Sequence, residues 1–167
     1  MAISNILKLA DIFYELTTTQ IELVASVAEE RKFQRGEIIF REQTAGRELY
    51  VIADGEVDIE IDPALVGNQP NGAPYRVATL RRGQSFGEVA LVDEGIRTAS
   101  ARATQHETRL ILIPREKLML LCETYPPLGY RLMRNLAADL ALKIRHTDLQ
   151  IREHLYWSRA AQTEGKP

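Results

Sequence analysis

Phe86-Gly87-Glu88-Val89-Ala90-Leu91, followed by Arg97-Thr98-Ala99, is the stretch whose reading decides the fold of this chain. Gly87 lets the backbone approach a ligand closely and reaches positive φ without a side-chain penalty. Glu88 to Leu91 has the composition of one short helical turn. The N–H groups at the start of such a turn carry partial positive charge and favour a phosphate. Arg97 adds a fixed charge whose planar fork matches phosphate oxygens, and Thr98 sets a hydroxyl beside it. A carboxylate next to an anion is repelled by it, so Glu88 is an odd choice there, and it makes sense if it accepts a hydrogen bond from a sugar hydroxyl. One anion, one sugar hydroxyl and a short loop closed by a strand describe a cyclic mononucleotide.

The run FGEVALVDEGIRTASARA, Phe86 to Ala103, resembles the phosphate-binding cassette of the cyclic nucleotide-binding domain. Bacterial catabolite activators, the regulatory subunits of cAMP-dependent protein kinase and cyclic-nucleotide-gated channels share that domain. The family pattern is Phe-Gly-Glu, an aliphatic residue, Ala-Leu, a variable loop, then Arg, a small residue and Ala; every fixed position is met. The short loop resembles the kinase and channel spacing. The resemblance implies a ligand-binding set of Phe86, Gly87, Glu88, Val89, Ala90, Leu91, Arg97, Thr98 and Ala99, with a cyclic mononucleotide as ligand and no metal. It implies cAMP first, as the family's commonest ligand. Thr98 leaves cGMP open, because a hydroxyl there bonds a guanine amino group in relatives. In the family a long helix after the sandwich lies over the base. Aligning that helix on Pro126-Pro127 brings Lys143 and Ile144, with Thr147 a turn beyond, to the lid positions. Bacterial activators carry hydroxyl residues there, so base selectivity is left open.

Upstream of the cassette, Ile3, Ile6, Leu7, Leu9 and Ala10 suggest a short helix, with Ile12, Phe13 and Leu16 packing next. Thr17 with Gln20, or Thr19 with Glu22, has capping-box spacing. The helix that follows places Ile21, Val24, Ala25 and Val27-Ala28 on one face and is expected to end near Glu30. From Lys32 the period becomes strand-like. Ile38-Ile39-Phe40 and Leu49-Tyr50-Val51-Ile52 read as strands, Asp54-Gly55 is a hairpin signal, and Val57, Ile59 and Ile61 alternate after it. Residues 62–74, dense in Pro, Gly and Asn, predict a loop. Tyr75 to Leu80, Ser100 to Ala103 and Thr108 to Ile113 complete a set of about eight short strands with glycine turns. The pattern predicts a mainly-β (α+β) fold, an antiparallel eight-stranded jelly-roll-like β-roll with N-terminal helices and a long C-terminal helix.

Downstream, Pro114 starts a helix that buries Leu118, Leu121 and Cys122, and Tyr125-Pro126-Pro127 breaks it. A long helix follows, whose line of Leu132, Leu136, Leu140, Ile144, Thr147, Ile151 and Leu155 outlasts what so small a sandwich can cover. An uncovered apolar stripe predicts a homodimer through this helix. The expected organisation is N-terminal helices over 1–30, a β-roll over 31–114 with its cassette at 86–99, C-terminal helices over 115–160 including a long helix at 127–157, and a frayed tail at 161–167.

Composition bounds the rest. A chain of 167 residues, 45% hydrophobic and 26% charged, is an ordinary globular length and balance. A net charge of −2 gives no overall pull toward nucleic acid or anionic lipid. Arg131, Arg134, Lys143, Arg145, Arg152 and Arg159 are interleaved with Asp139, Asp148 and Glu153, a solvated helix face rather than a DNA-reading one. About ten residues beyond Trp157 leave no space in this chain for the helix-turn-helix that bacterial activators carry. The lone Cys122 excludes an intrachain disulfide and reads as a small core residue in a cytosolic protein. His106, His146 and His154 are too dispersed for a jelly-roll metal centre, and no nucleophile-base pair is suggested, so no catalytic activity is expected. These readings converge on a non-enzymatic cyclic nucleotide sensor that signals to an effector protein, without DNA or membrane as partners. The alternatives are a jelly-roll interaction scaffold and a cyclic dinucleotide receptor using Arg81 and Arg82.

Overall fold

In the computed structural model, which describes residues 2–65, 72–93 and 95–164, the chain switches from helix to strand at Ala28. Before it lie α1 (Ile3–Leu7), a 3-10 turn (Asp11–Phe13) and α2 (Thr18–Val27). Thr17 caps α2 through a capping box: Thr17 Oγ1 accepts from the Gln20 N–H at 3.3 Å, and Gln20 Oε1 accepts from the Thr17 N–H at 2.9 Å. The sequence reading carries this helix to Glu30. It stops at Val27 because Ala28 turns extended and Glu29 already pairs with Leu112 as the first rung of a strand ladder.

Two antiparallel sheets of four strands form the roll. One runs, in spatial order, β1 (Glu29–Phe33), β8 (Thr108–Pro114), β3 (Glu48–Asp54) and β6 (Ser85–Phe86). The other runs β2 (Ile38–Phe40), β7 (Ser100–Ala103), β4 (Glu56–Ile61) and β5 (Tyr75–Arg81). The jelly-roll-like architecture expected from the strand spacing is thus present. The hairpin expected at Asp54-Gly55 does not form: β3 and β4 belong to different sheets, and Gly55 turns the chain from one sheet into the other; it sits at φ +88°, and a Cβ there would meet Thr108 Oγ1 at 2.7 Å. Within the predicted loop 62–74, Pro63–Leu65 forms a 3-10 turn, while residues 66–71 lie outside the described residues.

β3 and β8 are buried on both faces, which explains their nearly unbroken apolar runs. Side chains alternate along a strand. Leu49 and Val51, with Ile111 and Ile113, therefore face the helices and pack with Ile6, Leu7, Phe13, Val24, Leu118, Leu128 and Leu132. Tyr50 and Ile52, with Leu110 and Leu112, face the interior of the roll and pack with Phe33, Val57, Phe86, Ala101 and Ala103. One β3 strand thus joins the helical layer to the chamber that holds the cassette.

α4 (Arg115–Thr124) and α5 (Pro126–Glu164) are separated only by Tyr125. Pro126 opens α5 at a position where a missing N–H removes no intrahelical bond. The expected span of 127–157 is too short: the helix continues to Glu164, so residues 161–164, expected to fray, are helical, and 165–167 lie outside the described residues. Asn135 Nδ2 ties α5 to the N-terminal segment, donating to the Ile12 carbonyl at 3.1 Å and the Tyr14 carbonyl at 2.7 Å. Arg131 pairs with Glu15 beside it. Leu128, Leu132 and Leu136 are buried, but from Leu142 onward the helix leaves the core. No helix among the described residues is long and apolar enough to cross a membrane.

Candidate functional site

Gly87 sits at φ +79°, and there is no space for a side chain on it: a Cβ would lie 2.5 Å from Arg97 Nη1 and 3.0 Å from the Glu48 carbonyl oxygen. Only glycine reaches this geometry without strain. It lets the chain leave β6 and enter α3 (Val89–Val92) within two residues, with Glu88 immediately before the helical turn. The short turn read from the sequence is therefore present.

Arg97 is fixed first through its backbone. Its N–H donates to the Thr44 carbonyl at 2.7 Å, and its carbonyl accepts from the Gln43 N–H at 2.8 Å. The side chain then runs inward until the residue is only 5% exposed. Nη1 donates to the Gly87 carbonyl at 3.1 Å and Nη2 to the Glu48 carbonyl at 2.9 Å. The guanidinium carbon lies 4.2 Å from the Phe40 ring centroid and 5.6 Å from that of Tyr50. Nε is buried and has no hydrogen-bond partner among the described residues. A buried charged donor left unmatched is costly, and an anion is the kind of group that would match it. Burial pulls the Arg97 pKa down, while Tyr50, Glu48 and Glu88 oppose that pull; the guanidinium stays charged at any working pH.

Tyr50 braces Glu48. Burial, reinforced by the Glu48 carboxylate, pushes its phenol up to about 12. It therefore remains protonated and donates to Glu48 Oε2 at 3.3 Å. That carboxylate lies 3.6 Å from Arg97 Nη2 and partly balances the buried charge.

Glu88 is 6% exposed, so its carboxylate needs a partner. Lys143, from the long helix, reaches it with Nζ at 2.8 Å from Glu88 Oε1, and the same Nζ lies 2.8 Å from Asp139 Oδ2. Burial works to lower the Lys143 pKa, but the two carboxylates outweigh it and the net direction is up.

The remaining cassette residues fall into distinct places. Phe86 points into the roll, stacked on Tyr50 with centroids 5.0 Å apart and planes 10° from parallel. Leu91 packs with the helical core. Val89 and Thr98 are at the surface and Ala99 is half-buried; the side chain of Ala90 lies outside the described residues. Of the three lid positions, Lys143 is the one that pairs with a described cassette residue, Glu88. Ile144 is exposed, and Thr147 is exposed with its hydroxyl donating to the Lys143 carbonyl at 3.0 Å.

Sequence reasoning missed Phe40, Glu48, Tyr50 and Asp139. Three of these had a signal. Glu48 and Tyr50 are two apart on a strand and so share a face, and Asp139 and Lys143 are four apart on a helix. Phe40 had none, because its position over Arg97 depends on how β2 crosses the roll.

Comparison with known proteins identifies the family of the chain. The sequence model of the cyclic nucleotide-binding domain matches residues 30–125. The chain is 32% identical over 145 residues to the cyclic AMP receptor protein of Thermus thermophilus, covering 87% of this chain and 62% of that protein. It therefore spans under two thirds of that relative's length. The crystal structure of the Thermus thermophilus catabolite activator protein superposes with a TM-score of 0.73 at 31% identity, covering 88% of this chain and 64% of that one. A cyclic nucleotide-binding domain from Methylobacillus flagellatus, at 23% identity, shares the fold with a TM-score of 0.75 over 92% of this chain and 82% of its own. With the matched residues containing both sheets and the whole Phe86–Ala99 cassette, the chain belongs to the cyclic nucleotide-binding domain family.

Proposed function

We propose that the chain is a non-enzymatic cyclic mononucleotide sensor, with cAMP as its ligand in preference to cGMP. In this reading the cassette 86–99 holds the phosphate and sugar, α5 covers the base, and re-packing of α5 signals to an effector protein. The observation that carries it is the convergence of two buried, oppositely charged groups on one loop. Arg97 presents an unmatched donor suited to a phosphate, and Glu88 presents a carboxylate suited to a sugar hydroxyl. The name of the Thermus relative, a cyclic AMP receptor, supports cAMP. The exposed Thr98 hydroxyl keeps cGMP as the competitor to test. The apolar residues on the outer part of α5 support a homodimer through that helix.

A cyclic dinucleotide receptor gains less support, because Arg81 is drawn to Glu56 at 2.9 Å across β4 and β5 rather than held out for a second phosphate. Calorimetric titration with cAMP, cGMP and cyclic di-GMP, on protein checked for co-purified nucleotide, tests the reading. Binding of one cyclic mononucleotide, weakened about a hundredfold or more by Arg97→Ala, is expected for loss of a charged hydrogen-bonding partner in a buried site. Binding that ignores Arg97→Ala rejects the cassette as the site, and no binding to any of the three leaves an interaction scaffold.

A further inference from the structure

We propose that Lys143 is an internal competitor for the cassette's sugar-binding carboxylate, and that Asp139 is the station to which its ammonium retreats when a ligand hydroxyl takes its place on Glu88. This rests on the cyclic mononucleotide reading above and adds to it a mechanism by which occupancy of the cassette is reported to the long helix.

Three observations carry the proposal. Glu88 is buried, and the Lys143 ammonium lies against its Oε1 at 2.8 Å. A sugar hydroxyl seeking the same carboxylate must therefore displace or crowd that ammonium. Lys143 does not depend on Glu88 alone. Asp139 Oδ2, one helical turn back on the same face, is also 2.8 Å from Nζ, so the ammonium can leave Glu88 and keep a counter-charge. Finally, Lys143 lies on α5 beyond the last buried leucine, Leu136, where Leu142 and Ile144 are exposed. The helix is fastened upstream by Asn135 to Ile12 and Tyr14 and by Arg131 to Glu15. Beyond Lys143, Ile144 and Thr147 are exposed. The Lys143–Glu88 pair is thus a polar strap between α5 and the cassette. Transfer of the ammonium to Asp139 converts a contact between two elements into one within the helix. That frees α5 from Glu88 to re-pack over the base. A shift in equilibrium needs such a difference in contacts between two states.

The competition has a sign. Removing Lys143 deletes the occupant of Glu88 and tightens ligand binding. Removing Asp139 deletes the place to which it withdraws and weakens binding. Both effects require the ligand's 2′-hydroxyl. For a pair that is partly solvated on the lysine side, the expected change is about two- to tenfold.

The test is calorimetric titration of the wild-type chain and the variants Lys143→Met, Asp139→Asn and the double variant, each with cAMP and with 2′-deoxy-cAMP, and with Arg97→Ala as the control for the cassette. The proposal expects Lys143→Met to bind cAMP more tightly with little gain for 2′-deoxy-cAMP. It expects Asp139→Asn to bind cAMP more weakly, and the Asp139→Asn effect to vanish in the Lys143→Met background. Binding that depends on Arg97 but is unchanged or weakened by Lys143→Met overturns the competition and leaves the cassette reading standing. Equal tightening for both ligands also overturns it, since the lysine would then obstruct the pocket without competing at Glu88. Failure of every variant to bind overturns the cassette reading and the competition together, whereas binding by Lys143→Met alone supports both. Neither residue is in the packed core, and circular dichroism of each variant confirms that comparison is between folded proteins.

Discussion

The guanidinium of Arg97 lies on the face of the Phe40 ring, 4.2 Å from its centroid, and Phe40 is itself held 5.5 Å from Tyr50 and 5.9 Å from Phe86. The ring attracts the cation electrostatically and fixes its plane. The in-plane Nη1 and Nη2 groups then donate to the carbonyls of Gly87 and Glu48, and Nε is left without a partner among the described residues. Phe40 thus positions the charge that we propose binds the phosphate. Phe40→Leu keeps an apolar side chain of similar bulk but removes the ring. We expect nucleotide affinity to fall by about 1 kcal/mol, roughly fivefold, from the lost cation–π contact. Calorimetry on the variant checks this, with melting temperature recorded in parallel. An affinity equal to wild type at a lower melting temperature would show that the ring serves packing alone.

Gly87→Ala is the sharpest test of cassette geometry. The added methyl meets Arg97 Nη1 at 2.5 Å and the Glu48 carbonyl at 3.0 Å, and the backbone is at φ +79°. Backbone strain in this region costs on the order of 1–3 kcal/mol, and the guanidinium must also move off its two carbonyls. Stability and affinity should therefore fall together. Chemical denaturation and titration of the same sample measure both; a variant as stable as wild type would mean that the turn does not adopt this conformation.

The roll and the core of the cassette were legible in the sequence for a physical reason. Strand period, glycine turns and a cap such as Thr17–Gln20 are local, and Gly87, Glu88 and Arg97 lie within one short loop. What escaped was contact between distant elements. Glu29 and Glu30 look like the end of a helix, yet pairing with Leu112 and Ile111 makes them a strand; tertiary pairing overrides local propensity there. Lys143 was placed near the base by alignment of the helix start, but its meeting with Glu88, 55 residues earlier, depends on the angle of α5. That angle is set by Asn135 and Arg131 gripping the N-terminal segment, which no local pattern records. Phe86 is the reverse case. It stands in the motif beside the glycine, and its ring turns away into the chamber to stack on Tyr50.

The outer half of α5 bears on assembly. Ile144, Ile151 and Leu155 continue the line of Leu132, Leu136 and Leu140 past the edge of the domain and are exposed at 62%, 52% and 54%. Ile144 and Ile151 are one heptad apart and Leu155 follows four residues later, spacings that a two-stranded coiled coil uses. We expect a dimer at micromolar concentration and a monomer for the pair of substitutions Ile151→Glu and Leu155→Glu, which place charges where the stripe meets its partner. Sedimentation velocity over a range of concentrations decides the point. A wild-type chain that stays monomeric throughout would remove the homodimer from the proposed function.

Alkaline unfolding offers a test of burial that is independent of any ligand. Burial, with the Glu48 carboxylate adding to it, raises the Tyr50 phenol from 10.0 to about 12. Burial, with Glu123 adding to it, raises the Cys122 thiol from 9.0 to about 11. In both cases the unfolded chain loses its proton first, so between the two values the native state binds more protons and stability falls as pH rises. The contribution is whole below about pH 9, begins to decline there through Cys122, and declines further through Tyr50 until about pH 12. Each group contributes at most about 3 kcal/mol. Lys143 acts in the same direction. Burial lowers its pKa but Glu88 and Asp139 raise it by more, so its ion pairs are lost as the ammonium finally deprotonates. Denaturant unfolding at intervals from pH 8 to pH 11.5 should show a stability that drops with a slope of up to about one proton near pH 10. Cys122→Ala should delay the onset by removing the earlier of the two titrations. A stability that stays level to pH 11 would mean that neither side chain is shielded from water as its packing requires.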